Sequence, residues 1–561
     1  MKNIIYQMLP RLWGNYGPGG CGTFADIDEA SLAYIRSLGT DWIWYTGIVR
    51  HATKSRDRGC LPSHPQIVKG EAGSPYSITD WYDVNPYLAG DPERRMEEFE
   101  ALVDRTHRAG MKVIIDFIPN HVSRDYGRFS PSRPDVRPLG ADDETNFHWL
   151  PENDFFYYPG TPLRLPNETL FREEVRDLRA GRHGRTFSLL PHWLVDEARQ
   201  GGDLTAYADL LVPFPEYPAK ATGNNYTALP GINDWYETVK LNYCDFHSRT
   251  WDKMLDVLRF WAGKGVDGFR CDMVELVPAE FFTWAIRKMK EEWPDLLFLA
   301  EVYEKNAYEK YIHEVGFDLL YDKSGLYDVL RAVVEKNVSD NGTPVELWQS
   351  ASQITGNWQF LGDLQPRMLN FLENHDEQRL ASPYFAGQAE KGFAPLAVSL
   401  LLNTAPFMLY FGEETGERGM DDEPFSGING RTTIFDWWQV ASLQRLWEAI
   451  HTPEGPQDAV LERYRSLLRL ARTEPAFSEG RTYDLCYCNV CSEGFDRDRH
   501  FAFLRSDGRR TFLVAANFSG KEAKIDIRVP EHACRYLCIE EGKAGDITVR
   551  IPAFDYTILP L

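Results

Sequence analysis

The chain holds 561 residues, 43% of them hydrophobic and 26% charged, a globular profile too long for one core, so two or three domains are expected. Its net charge of −22 repels phosphate backbones and anionic lipid heads, which argues against nucleic acid and membrane surfaces as partners. No apolar run is long enough to span a bilayer, and no apolar stretch with a small-residue cleavage site follows Met1, so a cytoplasmic location is expected.

From residue 4 to about 475 one theme repeats: an amphipathic helix, a Gly or Pro break, then an apolar strand ending in polar residues. A strand at 4–9 leads to a helix at 28–38, with Leu32, Ile35 and Leu38 on one face, and past Gly39 to a strand at 42–45. Met96, Phe99, Val103 and Thr106 set a helix at 94–108, which Gly110 closes before a strand at 113–118. A helix at 251–261 precedes a strand at 266–269, and a helix at 281–293 stops at Pro294 ahead of a strand at 296–300. Strands at 317–321, 368–372 and 406–411 complete the set, the last behind an apolar helix around 396–402.

Such alternation, with right-handed crossovers, predicts a parallel sheet, and eight units suit a closed (β/α)8 TIM barrel. An open doubly wound sheet is the alternative. The interval between Asp116 and Asp272 far exceeds what one helix and two turns need. Its stretch 121–233, rich in Pro, Gly, Asn and aromatics, reads as a subdomain inserted after strand three, on the face where barrel active sites lie. Past Pro475, short alternating runs at 501–504, 511–516, 524–529, 536–539, 548–551 and 556–559 predict an antiparallel β-sandwich domain. The expected units are a catalytic barrel from 1–120 and 234–475, an insertion at 121–233 and a C-terminal β domain at 476–561. Nine cysteines, an odd count, fit reduced thiols better than a disulfide framework. Cys486, Cys488 and Cys491 form C-x-C-x-x-C, but the lack of a second regular pair or a histidine pattern weighs against zinc.

Residues just past the barrel strands share one pocket, whatever their sequence separation. Strand three ends in Asp116 and runs on to Asn120 and His121, and strand four ends in Arg270, Cys271 and Asp272. Strand five ends in Glu301, and strand seven in Glu373, Asn374, His375, Asp376 and Glu377. Paired carboxylates in unlike environments are what glycosidic cleavage needs, one protonated for the leaving oxygen and one ionised to attack. Arg270, two residues before Asp272 on the same strand face, holds that carboxylate ionised, so Asp272 is the expected nucleophile. Glu301, behind a run of apolar residues, is the expected acid/base, its pKa raised by desolvation and by neighbouring anions. Two competing readings are helix caps and a divalent-metal hydrolase of Asp and His, although H-x-H and HExxH spacings are missing. Aromatics in loop-like stretches, such as Trp81, Tyr82, Trp149, Trp235 and Tyr236, offer faces for sugar rings or pack in the core.

Together these residues resemble the α-amylase family of glycoside hydrolases. DFIPNH at 116–121 resembles its strand-three motif, whose Asn and His border the pocket, and GFRCD at 268–272 the strand-four motif carrying the nucleophile. AEVY at 300–303 resembles the strand-five motif carrying the acid/base, and ENHDEQR at 373–379 the strand-seven motif, with Asp376 the third carboxylate, which binds sugar hydroxyls. VKLN at 239–242 looks like a further family motif near the end of the insertion. SPY at 74–76 resembles the segment whose tyrosine, here Tyr76, stacks on the sugar at the cleavage subsite.

The resemblance covers roughly residues 1–475. It implies a retaining hydrolase of α-glucosidic bonds in α-glucans or malto-oligosaccharides, with Asp272, Glu301 and Asp376 catalytic and Tyr76, His121, Arg270 and His375 binding substrate. It implies no cofactor for the chemistry. Asn120 matches a ligand position in calcium-binding members, so a structural calcium is an expectation. Many starch-degrading members carry Lys-His three and four residues past the nucleophile, where this chain has Glu275 and Leu276. That departure leaves room for an exo-α-glucosidase on short α-glucosides or a transglycosylase.

Overall fold

The computed structural model describes residues 2–14, 20–128, 132–184, 186–244, 247–334, 350–419 and 427–561. Eight parallel strands close into a barrel: β1 (Ile4–Met8), β2 (Trp42–Tyr45), β3 (Lys112–Phe117), β4 (Gly268–Cys271), β5 (Leu297–Ala300), β6 (Leu319–Tyr321), β7 (Met368–Phe371) and β8 (Phe407–Tyr410). β1 closes the ring, with Ile4 opposite Phe407 of β8 and Ile5 opposite Trp42 of β2. The strands are almost wholly buried because side chains fill the inside and helices cover the outside, which is why they read as continuous apolar runs. Helix Arg95–Arg108 turns Phe99, Leu102, Val103 and Thr106 inward. It ends at Gly110, whose φ of 77° is the left-handed conformation that lets the chain reverse into β3.

β4 begins two residues later than the sequence pattern suggested. Val266 and Asp267 form its entry instead, with the Asp267 carboxylate accepting the Val113 amide at 2.8 Å. A Cβ on Gly268 would stand 3.0 Å from the Leu297 Cβ, so β4 and β5 approach each other as closely as glycine permits. The shift places Arg270 inside the strand, opposite Asp116 of β3 and Leu299 of β5.

Beyond β3, His121–Ser123 pairs antiparallel with Thr238–Lys240, and Tyr157–Tyr158 with Ala219–Lys220. Between them, helices Glu168–Arg179 and His192–Arg199 pack on a separate cluster that includes Phe171, Val175, Leu190 and Leu194. The C-terminal part sets a four-stranded antiparallel sheet against the antiparallel pair Ala523–Val529 and Gly545–Ile551, burying Leu504, Leu513, Ile525, Ile527 and Val549 between them. The strand expected at 536–539 is a helix, Glu531–Leu537. Ala533, Cys534 and Leu537 recur at helical spacing and bury one face, and Cys538 ends the helix at φ 56°. The Cys486 and Cys488 thiols donate to the carbonyls of Ala502 and Leu485, at 3.6 and 3.2 Å. Among the described residues no group of three His, Cys, Asp or Glu gathers to hold a metal, and no helix is long and apolar enough to cross a membrane.

Candidate active site

The guanidinium of Arg270 is the hub of the polar ends of the strands. It is fully buried, and its central carbon lies over the rings of Trp44, Tyr76 and Tyr321, 5.4, 5.5 and 5.6 Å from their centres. Its Nη1 donates to Asp272 at 2.6 Å and stands 3.7 Å from Asp116, while Nη2 lies 2.9 Å from Glu301. The sequence reading gave Arg270 to Asp272 alone, whereas the structure gives it to three carboxylates. Strand register is the cause: Glu301 lies two residues past Leu299, the partner of Arg270, and so stands level with Asp272. A buried cation is tolerated here because acids surround it.

Burial pushes Asp272 well above the usual carboxylate range, Arg270 pulls it back, and the charge of Glu301 pushes it up again. Glu301 is held at both oxygens, by the Tyr303 hydroxyl on Oε1 at 2.6 Å and the Met273 amide on Oε2 at 2.9 Å. Met273 is left-handed, with φ and ψ both 45°, a strained conformation for a side-chain-bearing residue. It turns the chain just past Asp272, so that its N–H faces Glu301.

Asp376 behaves differently. Burial would raise it, but His375, Arg270 and Arg431 outweigh that and hold it well below the usual carboxylate range. His375 Nε2 stands 3.1 Å from the Asp376 carboxylate and 2.5 Å from the Tyr76 hydroxyl, and the Tyr76 ring stacks on the imidazole at 5.3 Å. Gln7, at the end of β1, donates to Nδ1 at 2.8 Å, which leaves the ring proton on Nε2, facing Asp376 and Tyr76. His121 is neutral, because burial drops it to about 3.

Asp272, Glu301, Asp376, Tyr76 and His121 line one cavity of about 270 Å³, walled also by Trp235, Tyr303 and Phe435. Arg270 and His375 lie beneath it, in contact with those residues. Asn120 is elsewhere, fully buried behind His121, and its donor set does not fit calcium. The Lys240 side-chain nitrogen donates to Asn120 Oδ1 and, at 2.7 Å, to the Leu276 carbonyl, occupying with a hydrogen-bond donor the oxygen a calcium would need. The sequence reading missed Gln7, Tyr303 and Lys240. Gln7 carried a signal, a polar residue inside an apolar strand, and Lys240 stood in the quoted VKLN motif. The Tyr303 hydroxyl reaches Glu301 only through the loop after β5, which no spacing rule anticipates.

The pattern described as the alpha-amylase catalytic domain matches residues 7–200 and 234–452. The trehalose-6-phosphate hydrolase of Bacillus subtilis is 21% identical, over 94% of this chain and 91% of its own. The oligo-1,6-glucosidase of Heyndrickxia coagulans is 22% identical, over 94% and 93%. Among solved structures, the alpha-amylase from H. orenii aligns with a TM-score of 0.59 at 18% identity, over 100% of this chain and 99% of that one. The debranching enzyme of Nostoc punctiforme aligns at 0.61 with 17% identity, over 100% and 98%. These likenesses speak to fold, while the catalytic-domain match covers most of the chain and holds Asp272, Glu301 and Asp376, so the chain belongs to the alpha-amylase family of glycoside hydrolases, whose chemistry needs no cofactor.

Proposed function

We propose that this enzyme cleaves α-glucosidic bonds in two steps with retention of configuration, Asp272 acting as nucleophile and Glu301 as acid and then base. The Asp272 carboxylate attacks the anomeric carbon while Glu301 gives its proton to the glycosidic oxygen, releasing the leaving sugar and forming a glucosyl ester. Ionised Glu301 then takes a proton from water, whose oxygen attacks the same carbon and frees Asp272. The observation that carries this reading is the single guanidinium contacting both carboxylates, at 2.6 and 2.9 Å. It favours the close pairing, about 5–5.5 Å, of retaining enzymes over the wider gap that admits a water. In this mechanism Glu301 enters as the proton donor, which removes its share of the push on Asp272, while Arg270 works toward the ionised form of Asp272. Asp376, kept ionised beside His375, accepts sugar hydroxyls, with Tyr76 as the stacking face and His121 a neutral hydrogen-bonding wall.

Short substrates are favoured by the cavity, since about 270 Å³ lies just below the roughly 300–1,000 Å³ range of ligand pockets. The oligo-1,6-glucosidase among the relatives fits that preference. The same reading divides the chain into a barrel at 1–120 and 234–475, an insertion at 121–233 whose neck is the pairing of His121–Ser123 with Thr238–Lys240, and a β domain at 476–561. A cytoplasmic location is supported by nine cysteines that form no disulfide. Asp272→Asn and Glu301→Gln should each lower kcat by at least about 100-fold with an unchanged melting temperature. Near-wild-type turnover in either variant overturns the roles. A product profile on maltose, isomaltose, sucrose, trehalose and starch identifies the linkage, and a ladder of longer products from maltotriose would make transfer, not hydrolysis, the main reaction.

A further inference from the structure

Glu275 stands where many starch-degrading relatives carry a lysine, and its carboxylate does not point at the cavity. It lies on the single turn Val274–Leu276 that follows the left-handed Met273. One oxygen accepts the backbone N–H of Tyr303 at 2.8 Å, and the other the N–H of Glu304 at 3.1 Å. Tyr303 is the residue whose hydroxyl donates to Glu301 at 2.6 Å. The loop after β4 therefore touches Glu301 twice, directly through the Met273 amide at 2.9 Å and indirectly through Glu275 and Tyr303. A carboxylate bridging two successive amides fixes their peptide planes with charge-assisted bonds, and those planes set where the Tyr303 ring leaves the backbone.

We infer that Glu275 is a positioning residue for the acid/base, locking the loop after β5 so that the Tyr303 hydroxyl stays on Glu301. The inference rests on the reading of Glu301 as proton donor. Neither Glu275 nor Leu276 then replaces the lysine and histidine as a contact to the leaving sugar. Their place has been given to the alignment of the proton that the leaving oxygen receives.

The test is a series of aryl α-glucosides of one aglycone size but graded phenol acidity, because a good leaving group needs no proton. Glu275→Ala should lower kcat/KM by up to about 100-fold on the least acidic phenol and leave the most acidic nearly unchanged, the loss expected of a displaced catalytic group. Glu301→Gln, measured alongside, should show the same steepening, and Glu275→Gln, which keeps one acceptor, an intermediate one. Adding Glu275→Ala to Tyr303→Phe should cost little more than the worse single change, because both act on one hydroxyl. A uniform loss across all phenols, or losses that multiply in the double variant, overturns the inference while leaving Glu301 untouched. Absence of steepening in Glu301→Gln instead overturns the acid/base reading itself. Circular dichroism and melting temperature confirm that each variant folds.

Discussion

Arg270 and Glu301 act on Asp272 in opposite directions, and that opposition has a measurable consequence. Burial raises Asp272, the Glu301 charge raises it further, and Arg270 works against both. The proposed mechanism needs Asp272 ionised, so activity should fall on the acid side as Asp272 takes up its proton, at a pH above the ordinary aspartate value of about 3.9. Glu301→Gln removes one source of the upward push without emptying the site. The acid limb of kcat/KM on an activated aryl glucoside should therefore move to lower pH in this variant. An unmoved limb would mean that another group titrates there. Asp272, Glu301 and Asp376 were legible from sequence, because a barrel puts strand ends in one pocket and each of these follows an apolar run. Tyr303, Glu275 and Gln7 were not, because what they do depends on loop geometry and on which atom faces which, and periodicity carries neither.

At the scale of elements, the neck of the insertion depends on one buried lysine. Lys240 is 3% exposed, and burial brings its pKa down to about 7. It donates to the side chain of Asn120, just before the opposite strand, and to the Leu276 carbonyl at 2.7 Å, so one side-chain nitrogen ties the start of His121–Ser123, Thr238–Lys240 and the turn after β4 together. Lys240→Met keeps most of the bulk but leaves both carbonyl oxygens without this donor, a loss of about 1–3 kcal/mol per buried acceptor. The variant should melt at a lower temperature and turn over more slowly, since Leu276 adjoins Glu275. Treating the wild type with a chelator should leave its melting temperature unchanged, and a clear drop would place a structural cation somewhere other than Asn120. The barrel strands and their covering helices were readable because their apolar periods are long and unbroken. The helix Glu531–Leu537 was mistaken for a strand because its buried face is only three residues, too short a run to separate a period of two from one of 3.6.

For the molecule as a whole, closing the ring between β1 and β8 buries a second group of acids, near the site but outside its cavity. Glu373, Glu413, Glu414 and Glu417 are all buried, and Arg379 donates to Glu373 at 2.8 Å. Glu413 accepts the Tyr464 hydroxyl at 3.0 Å, and Glu414 those of Tyr6 and Tyr34 at 2.9 Å each. β1, the helix Glu29–Ser37, the helix Ala459–Thr473 and the ends of β7 and β8 thus converge on one carboxyl cluster. Burial raises all four acids, Glu373 to about 7 and Glu413 well above the usual range, where the neighbouring Glu373 adds to the push. Such a group binds more protons in the folded state than in the unfolded chain. Its contribution to stability is complete below the ordinary glutamate value of about 4.3 and is lost as pH rises through the raised one. The enzyme should therefore melt at a lower temperature near about pH 8 than near about pH 5. Glu413→Gln keeps an oxygen for Tyr464 and cannot ionise, so it should raise the melting temperature at the higher pH, change it little at the lower, and flatten the slope between them. An equal effect at both pH values would mean that Glu413 binds protons alike in the folded and the unfolded chain, and the pH dependence would then belong to its three neighbours.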